Sequence, residues 1–299
     1  MMPQSKNKYS RYDLDQSPFF RLTSQAKLAK VLWISKRKLE ILIDSENLYT
    51  EDVFIKSGKS RLLAKPRYDL KKVQKQIEDI LKRIKCPDYL HSPKKDCSYI
   101  SNAKVHINAN VVVTLDIEKY FSSTPSRRVY WFFHKKMQCS PDVASILTKL
   151  LTFKDHLPTG SPSSPLIAYF AYIDMWDEIN EIVENANCKL SLYIDDVTIS
   201  GQNISGKLIW EVKKKIYSNG LSVNKSKEKR YSGKQSRQVT GVILTPQGEM
   251  KIPNRQHLKM YKVRKLLKKT NDPETKDNLT QKLNGLESQA KQIMSSSKT

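Results

Sequence analysis

Asp116 closes the apolar run VVVTL, and Asp195 and Asp196 stand together inside LSLYIDDVTIS. Leu190, Leu192 and Ile194 alternate on the way into that pair, and Val197 and Ile199 alternate on the way out. Such alternation reads as two short strands joined by a tight turn, with two carboxylates at its tip. Aligned strand ends would bring Asp116 close to the same tip. Like charges so placed repel one another unless a cation lies between them or one acid keeps its proton. Hard divalent cations such as Mg²⁺ are held by one or two carboxylates together with substrate phosphates. Two such ions about 3.5–4 Å apart can activate a hydroxyl and stabilise a leaving oxygen in nucleotidyl transfer. The competing reading is a solvated turn, because Asp favours turns in its own right.

The elements that must position these acids can be read from periodicity. SQAKLAKVLWISKRKLEILID has Ser24 as an N-cap and apolar residues near helical spacing. A strand-like stretch, DVFIKSGKSRLLAKP, follows with a turn at Gly58. Leu70, Val73, Ile77, Ile80, Leu81 and Ile84 then fall on one face of a helix. VVVTLDI is a buried-strand pattern, and a helix is expected after the Ser122–Ser126 break. The loop LPTGSPSSP leads into an apolar helix, LIAYFAYIDMWDEINEIV. After the acid hairpin come a helix over KLIWEVKKKIYSNG and a strand pair around QVTGVILTPQGEMKI. In the last fifty or so residues, Leu279, Leu283, Leu286, Ala290 and Ile293 keep the spacing of a helical stripe within a strongly basic segment.

The chain of 299 residues carries a formal net charge of +23, which favours a polyanionic partner such as nucleic acid. No apolar run approaches the ~18–20 residues of a membrane span, so a membrane is not expected as partner. The N-terminal MMPQSKNKYSRYDLDQ lacks the apolar core of a secretory signal. Cys86, Cys97, Cys139 and Cys188 are far apart with no CxxC pair, as for free thiols in a reducing cytoplasm.

Tyr193-Ile194-Asp195-Asp196 resembles the YxDD motif of reverse transcriptases. LDIEKYFSS, containing Asp116 and Phe121, resembles their first catalytic motif, and LPTGSPSSP resembles the loop that follows it. The three occur in the family's order, and the resemblance covers about residues 50–265. Asn102-Ala103-Lys104-Val105-His106 resembles the NAxxH element of retron reverse transcriptases, and Val239-Thr240-Gly241 resembles their VTG element. The implied fold is α+β, a right-hand polymerase with fingers, an antiparallel palm sheet carrying the YxDD hairpin, and a helical thumb. The expected divisions are a helical extension over 1–48, fingers over 49–110 with part of 130–165, palm over 111–245, and a basic thumb over 246–299.

The same resemblance implies residue roles. Asp116, Asp195 and Asp196 would be catalytic and would hold two Mg²⁺ ions, or Mn²⁺ in their place, with the Ile117 carbonyl as an extra ligand. Lys59, Arg61, Phe121, Thr159, Gly160 and Lys227 would contact the incoming dNTP. In that set Phe121 acts as a steric gate against ribose, and Lys227 is a proton donor to pyrophosphate. Asn102, His106, Val239, Thr240, Gly241, Lys262, Arg264, Lys265, Lys268 and Lys269 would contact RNA, although a structural His106 and a packing role for Val239–Gly241 are the plain alternatives.

The implied activity is RNA-directed DNA synthesis on a structured non-coding RNA. It would be primed from an RNA 2′-hydroxyl and give msDNA, in a bacterial cytoplasm, with a separate effector protein in antiphage defence. A group II intron-like or diversity-generating enzyme, or a catalytically silent RNA-binding scaffold, remains as an alternative. The short chain favours the retron type over intron proteins, which carry further segments beyond the thumb. Two residues depart from the family pattern: Thr159 stands where Gln is usual, and Ile194 stands where retrons usually have Ala.

Overall fold

The computed structural model describes residues 10–56 and 59–296, without the side chains of residues 55, 56 and 59–61. In chain order the elements are α1 (Gln25–Val31), α2 (Lys36–Asp44), β1 (Tyr49–Lys56), β2 (Lys59–Pro66), α3 (Tyr68–Leu81), β3 (Leu90–Ser92) and α4 (Tyr99–Lys104). They continue with β4 (Val111–Asp116), α5 (Ser126–Trp131), α6 (Pro141–Leu151), α7 (Ser164–Ala171), α8 (Ile173–Asn185), β5 (Lys189–Tyr193), β6 (Asp196–Gly201) and α9 (Gly206–Ser218). The last are β7 (Lys229–Tyr231), β8 (Arg237–Val239), β9 (Val242–Leu244), β10 (Met250–Lys251), α10 (Asn254–Leu267) and α11 (Pro273–Ser295). The turn expected at Gly58 lies outside the described residues.

A five-stranded sheet in the order β3-β5-β6-β4-β7 organises the molecule, with only the β3–β5 pair parallel. Its two faces follow from strand periodicity. Leu190, Leu192, Val197, Ile199, Val111, Val113 and Leu115 point to one side and join the larger core with α1–α3 and α5–α9. Val112 points to the other side, into a second core built from Ile100, Val239, Val242, Leu244, Met250, Met260, Ala290 and Ile293.

This packing redraws the expected divisions. Phe19, Leu28 and Leu39 are fully buried in the larger core, so the described part of the N-terminal stretch packs into that core rather than extending from it. The second core joins α4, from before residue 110, to β8–β10 and to α10 and α11. Divisions at 110 and 245 therefore cut through one apolar cluster. Sequence patterning marks which residues are apolar but not which distant apolar faces share a core.

Two helical runs split where the backbone turns. Ser24 caps α1 by accepting from the Lys27 N–H, as expected, but Ser35 starts a second helix by accepting from the Lys38 N–H. Between them Trp33 sits at φ 53°, which ends the first helix. The apolar run after the Pro/Gly/Ser loop likewise breaks into α7 and α8 at Tyr172. The four cysteines are unpaired. Among the described residues, no helix is long and apolar enough to cross a membrane.

Candidate active site

β4 and β6 pair antiparallel with Asp116 directly opposite Asp196, and Tyr193 of β5 also lies opposite Asp196. The hairpin loop is therefore the two residues Ile194 and Asp195. The Ile117 N–H donates to the Asp195 carbonyl at 2.9 Å, which ties the end of β4 to the hairpin tip. Three carboxylates some eighty residues apart in sequence thus meet at one end of the sheet.

Ile194 adopts φ 59°, a left-handed conformation that a β-branched residue rarely takes. The favoured two-residue hairpin turns, types I′ and II′, take positive φ at the first central position, where Gly is the relaxed choice. Holding a side chain there costs about 1–2 kcal/mol. The turn is over-determined by its surroundings: the Ile194 N–H donates to the Ser92 carbonyl at 3.2 Å, and the side chain packs on the larger core. The strain is located at the turn that holds Asp195 and Asp196.

Electrostatics answer why these charges tolerate one another. Burial, and then the neighbouring Asp195 and Asp116, push the Asp196 carboxyl up to about 7, with Lys227 opposing the rise. The Lys227 ammonium lies 2.6 Å from Asp116 Oδ2, and that carboxylate is almost fully buried. Lys227 is brought there by a 3₁₀ turn over Lys225–Lys227, anchored by the Asn224 N–H donating to the Asp116 carbonyl at 2.8 Å. Of the three neighbouring lysines in NKSKEK, Lys227 is the one on the acid.

Among the described residues, no three His, Cys, Asp or Glu side chains converge closely enough to hold a metal ion as they stand. The donor chemistry nevertheless fits a hard divalent cation. Asp116, Asp195 and Asp196 offer only carboxylate oxygens, and the mutual repulsion that raises Asp196 is the cost a cation would remove.

A second group forms around the Pro/Gly/Ser loop. Thr159 Oγ1 donates to the Leu62 carbonyl at 2.8 Å. A Cβ on Gly160 would meet the Ala64 carbonyl oxygen at 2.5 Å, so only glycine lets the loop lie against β2. Ser161 Oγ donates to Gln74 Oε1 at 2.6 Å, and Gln74 in turn donates to the Tyr49 hydroxyl and the Leu150 carbonyl. The loop and the β1–β2 hairpin are thus one assembly. Lys59 and Arg61 lie on β2, but their side chains fall outside the description. Phe121 is partly buried beside Tyr120, ring centroids 6.1 Å apart.

The NAxxH and VTG elements turn out to be one structure. Asn102 Nδ2 donates to Thr240 Oγ1 at 3.3 Å, and Thr240 Oγ1 donates to the Tyr99 carbonyl at 3.0 Å. Gly241 takes φ +87°, the conformation that favours glycine, beside Arg255. Asn102, His106 and Val239 are all fully buried, which corrects the expectation that their side chains contact RNA. Their polar atoms face inward. His106 Nδ1 lies 2.6 Å from Ser200 Oγ and Nε2 2.7 Å from Ser191 Oγ, so the ring pins β5 to β6 behind the hairpin that carries Asp195 and Asp196. Burial first, then the charges of His91 and Lys189, hold its pKa down to about 3, so it is a neutral ring.

Ser191 and Ser200 were not singled out by sequence, yet a signal existed. Both are polar residues on buried faces of otherwise apolar strands, and such groups need a partner. Lys262, Lys265, Lys268 and Lys269 are exposed on and just after α10, whereas Arg264 is engaged with Glu287 at 2.7 Å.

A family model for reverse transcriptase (RNA-dependent DNA polymerase) matches residues 51–244. The chain belongs to the reverse transcriptase family. That match takes in all three acids, the Pro/Gly/Ser loop and the Asn102–Thr240 contact. Similar proteins include the retron Se72 reverse transcriptase of Salmonella heidelberg, 30% identical over 69% of this chain and 57% of that protein. The retron Ec86 reverse transcriptase of Escherichia coli is 28% identical over 73% of this chain and 70% of its own length. The retron Mx162 reverse transcriptase of Myxococcus xanthus is 23% identical over 76% and 54% respectively. The matched part of the chain thus spans 54–70% of the length of these relatives.

Proposed function

We propose that this reverse transcriptase family member is an RNA-directed DNA polymerase of retron type. The observation that carries the reading is the meeting of Asp116, Asp195 and Asp196 at one sheet end, with Lys227 in contact. In this reading it copies part of a structured non-coding RNA into single-stranded DNA that stays linked to the RNA, starting from an RNA 2′-hydroxyl. Asp116, Asp195, Asp196 and the Ile117 carbonyl would hold divalent metal, Mg²⁺ or Mn²⁺. Bound metal supplies activation of the primer hydroxyl and charge stabilisation at the departing pyrophosphate oxygen.

The chain's own residues do the rest. Gly160 and Thr159 keep the loop against β2, and Lys59 and Arg61 of that strand would bind the triphosphate; Arg is suited to grip phosphate oxygens in pairs. Phe121 crowds the sugar and favours dNTPs over rNTPs. Lys227 carries the proton that the departing pyrophosphate needs. In this reading β1–β2 and α3 serve as fingers, the five-stranded sheet as palm and α10–α11 as thumb. Lys262, Lys265, Lys268 and Lys269 of the thumb meet phosphates, so binding weakens steeply with salt. A separate effector protein, a cytoplasmic site of action and a role in antiphage defence complete the reading, and the similarity to retron enzymes supports it.

The test is expression with the flanking genomic DNA, followed by a search for short DNA covalently joined to RNA. Product must vanish in the Asp195→Ala/Asp196→Ala variant; persistence defeats the catalytic assignment. An enzyme that extends only an annealed 3′-hydroxyl primer would retain the polymerase reading and lose the retron one.

A further inference from the structure

The helix α9 buries Leu208, Ile209, Val212 and Ile216 against the larger core. Its outward face is unusual. Trp210 is 60% exposed and Tyr217 37% exposed, and the exposed lysines Lys207 and Lys214 lie between and beside them. Positions 207, 210, 214 and 217 follow helical spacing, so the four form one stripe along the helix. Nothing in the apolar core needs these rings. Trp210 also walls a cavity of about 250 Å³ with Val113, Ile209, Lys213, Glu228 and Arg230. That is below the roughly 300–1,000 Å³ of ordinary small-molecule sites.

The direction of the stripe is informative. The start of α9 follows Gly201, which pairs with Val111 at the end of the sheet away from the acids. The segment after α9 reaches the acid end, where the Glu118 N–H donates to the Ser222 carbonyl and Val223 bridges Ile117. The aromatic-basic stripe therefore runs along the outside of the molecule, from the far end of the sheet at Lys207 toward the acid end at Tyr217. Beside it β7, the edge strand of the sheet, exposes Lys229 and Arg230.

We propose that this face binds a single-stranded stretch of RNA outside the catalytic cleft, with bases stacked on Trp210 and Tyr217 and phosphates neutralised by Lys207 and Lys214. The proposal rests on the nucleic-acid reading above and adds a site to it. Exposed rings serve unpaired bases, because every base has a stacking face and duplex RNA hides it. The seven helical steps from Trp210 to Tyr217 rise about 10.5 Å, close to three stacked-base steps of about 3.4 Å. Lys214 between the rings and Lys207 one turn before Trp210 supply the charge complement, and Lys207 also lies 3.8 Å from Glu211, a pairing that phosphate must compete with. A protein partner would not need positive charge interleaved with the aromatics.

The test is fluorescence anisotropy with a labelled oligouridylate about a dozen nucleotides long. An excess of unlabelled template–primer duplex is included to fill the cleft. The W210A/Y217A variant should weaken binding about tenfold or more, given the size of base–aromatic stacking effects. W210F should restore most of it. K207A/K214A should lower the salt slope by about 0.7 for each phosphate no longer neutralised. Extension of a pre-annealed primer should stay at the wild-type level in all these variants. If that activity is absent from the wild type as well, the polymerase reading fails while the oligouridylate result still judges this one. Unchanged oligouridylate affinity in W210A/Y217A, failure of W210F to rescue, or equal competition by duplex RNA would each overturn the proposal. Should W210A/Y217A unfold, the K207A/K214A slope decides: an unchanged slope overturns the site, and a reduced one supports it. Binding of a protein partner that is lost in W210A/Y217A while oligouridylate binding is kept would also overturn it.

Discussion

Replacing His106 separates a structural histidine from an RNA-contacting one. The ring is fully buried and both nitrogens meet serine hydroxyls, one from each strand of the acid-bearing hairpin. His106→Ala leaves Ser191 and Ser200 without that partner, at about 1–3 kcal/mol for each stranded group, or roughly 2–6 kcal/mol in all. The pH dependence is the sharper signature. In the folded protein the pKa is held down to about 3, against about 6.5 when unfolded. A depressed pKa contributes stability that is present above the unfolded value and is lost as pH falls toward the folded one. At pH 5.0 the unfolded chain has taken up the proton and the folded chain has not. The loss relative to pH 7.5 is then about 1.36 kcal/mol for each of about 1.5 pH units, or about 2 kcal/mol. The assay is urea unfolding followed by circular dichroism at pH 7.5 and 5.0, on the wild type and on His106→Gln, which keeps polar atoms but cannot titrate. The wild type should lose about 2 kcal/mol more than the variant on acidification. Equal acid sensitivity in the two, together with weakened RNA binding at undiminished stability, would refute the buried-strut account.

Three further outcomes follow from the site. Gly160→Ala places a methyl group 2.5 Å from the Ala64 carbonyl oxygen, so the loop must part from β2. Stability should fall by about 1–3 kcal/mol, and the KM for dNTPs should rise in steady-state primer extension. Asp196→Asn should abolish extension yet raise the melting temperature by a few degrees. Because burial and Asp195 and Asp116 raise the Asp196 carboxyl to about 7, its contribution to stability falls as pH climbs through that value. The gain in the Asn variant should therefore be larger at pH 8 than at pH 5, and a gain independent of pH would contradict the assigned repulsion. Asn102→Ala should cost about 1 kcal/mol through the missing bond to Thr240. A double-mutant cycle with Thr240→Ala should recover a coupling of similar size, and strict additivity would mean that the two elements do not communicate through this contact.

Much of the site was legible without coordinates because its chemistry is encoded locally. The alternation around Asp195 and Asp196 shows a hairpin whichever way the rest of the chain folds, and the hairpin geometry alone puts both acids at its tip. A buried strand that ends in Asp116 is likewise a local pattern. The capping serine of α1 and the buried face of α3 were readable for the same reason: they depend on residues within a few turns of one another.

Tertiary structure decided the relations between distant segments. Only packing shows that Lys227, rather than Lys225 or Lys229, sits on Asp116. Only packing reveals that Asn102 and Thr240 are partners across 138 positions, so that two short motifs read as RNA contacts are halves of one buried joint. The three-residue strands β3 and β7 were missed because three residues carry too little periodicity to stand out, and their partners lie far along the chain. Ile194 is the clearest case of both. The sequence by itself determined that a bulky β-branched residue stands directly before the acid pair. The fold decided that this residue takes φ 59°, because the two-residue turn that matches the twist of the strands has positive φ at its first position, and the Ser92 carbonyl and the larger core hold it there.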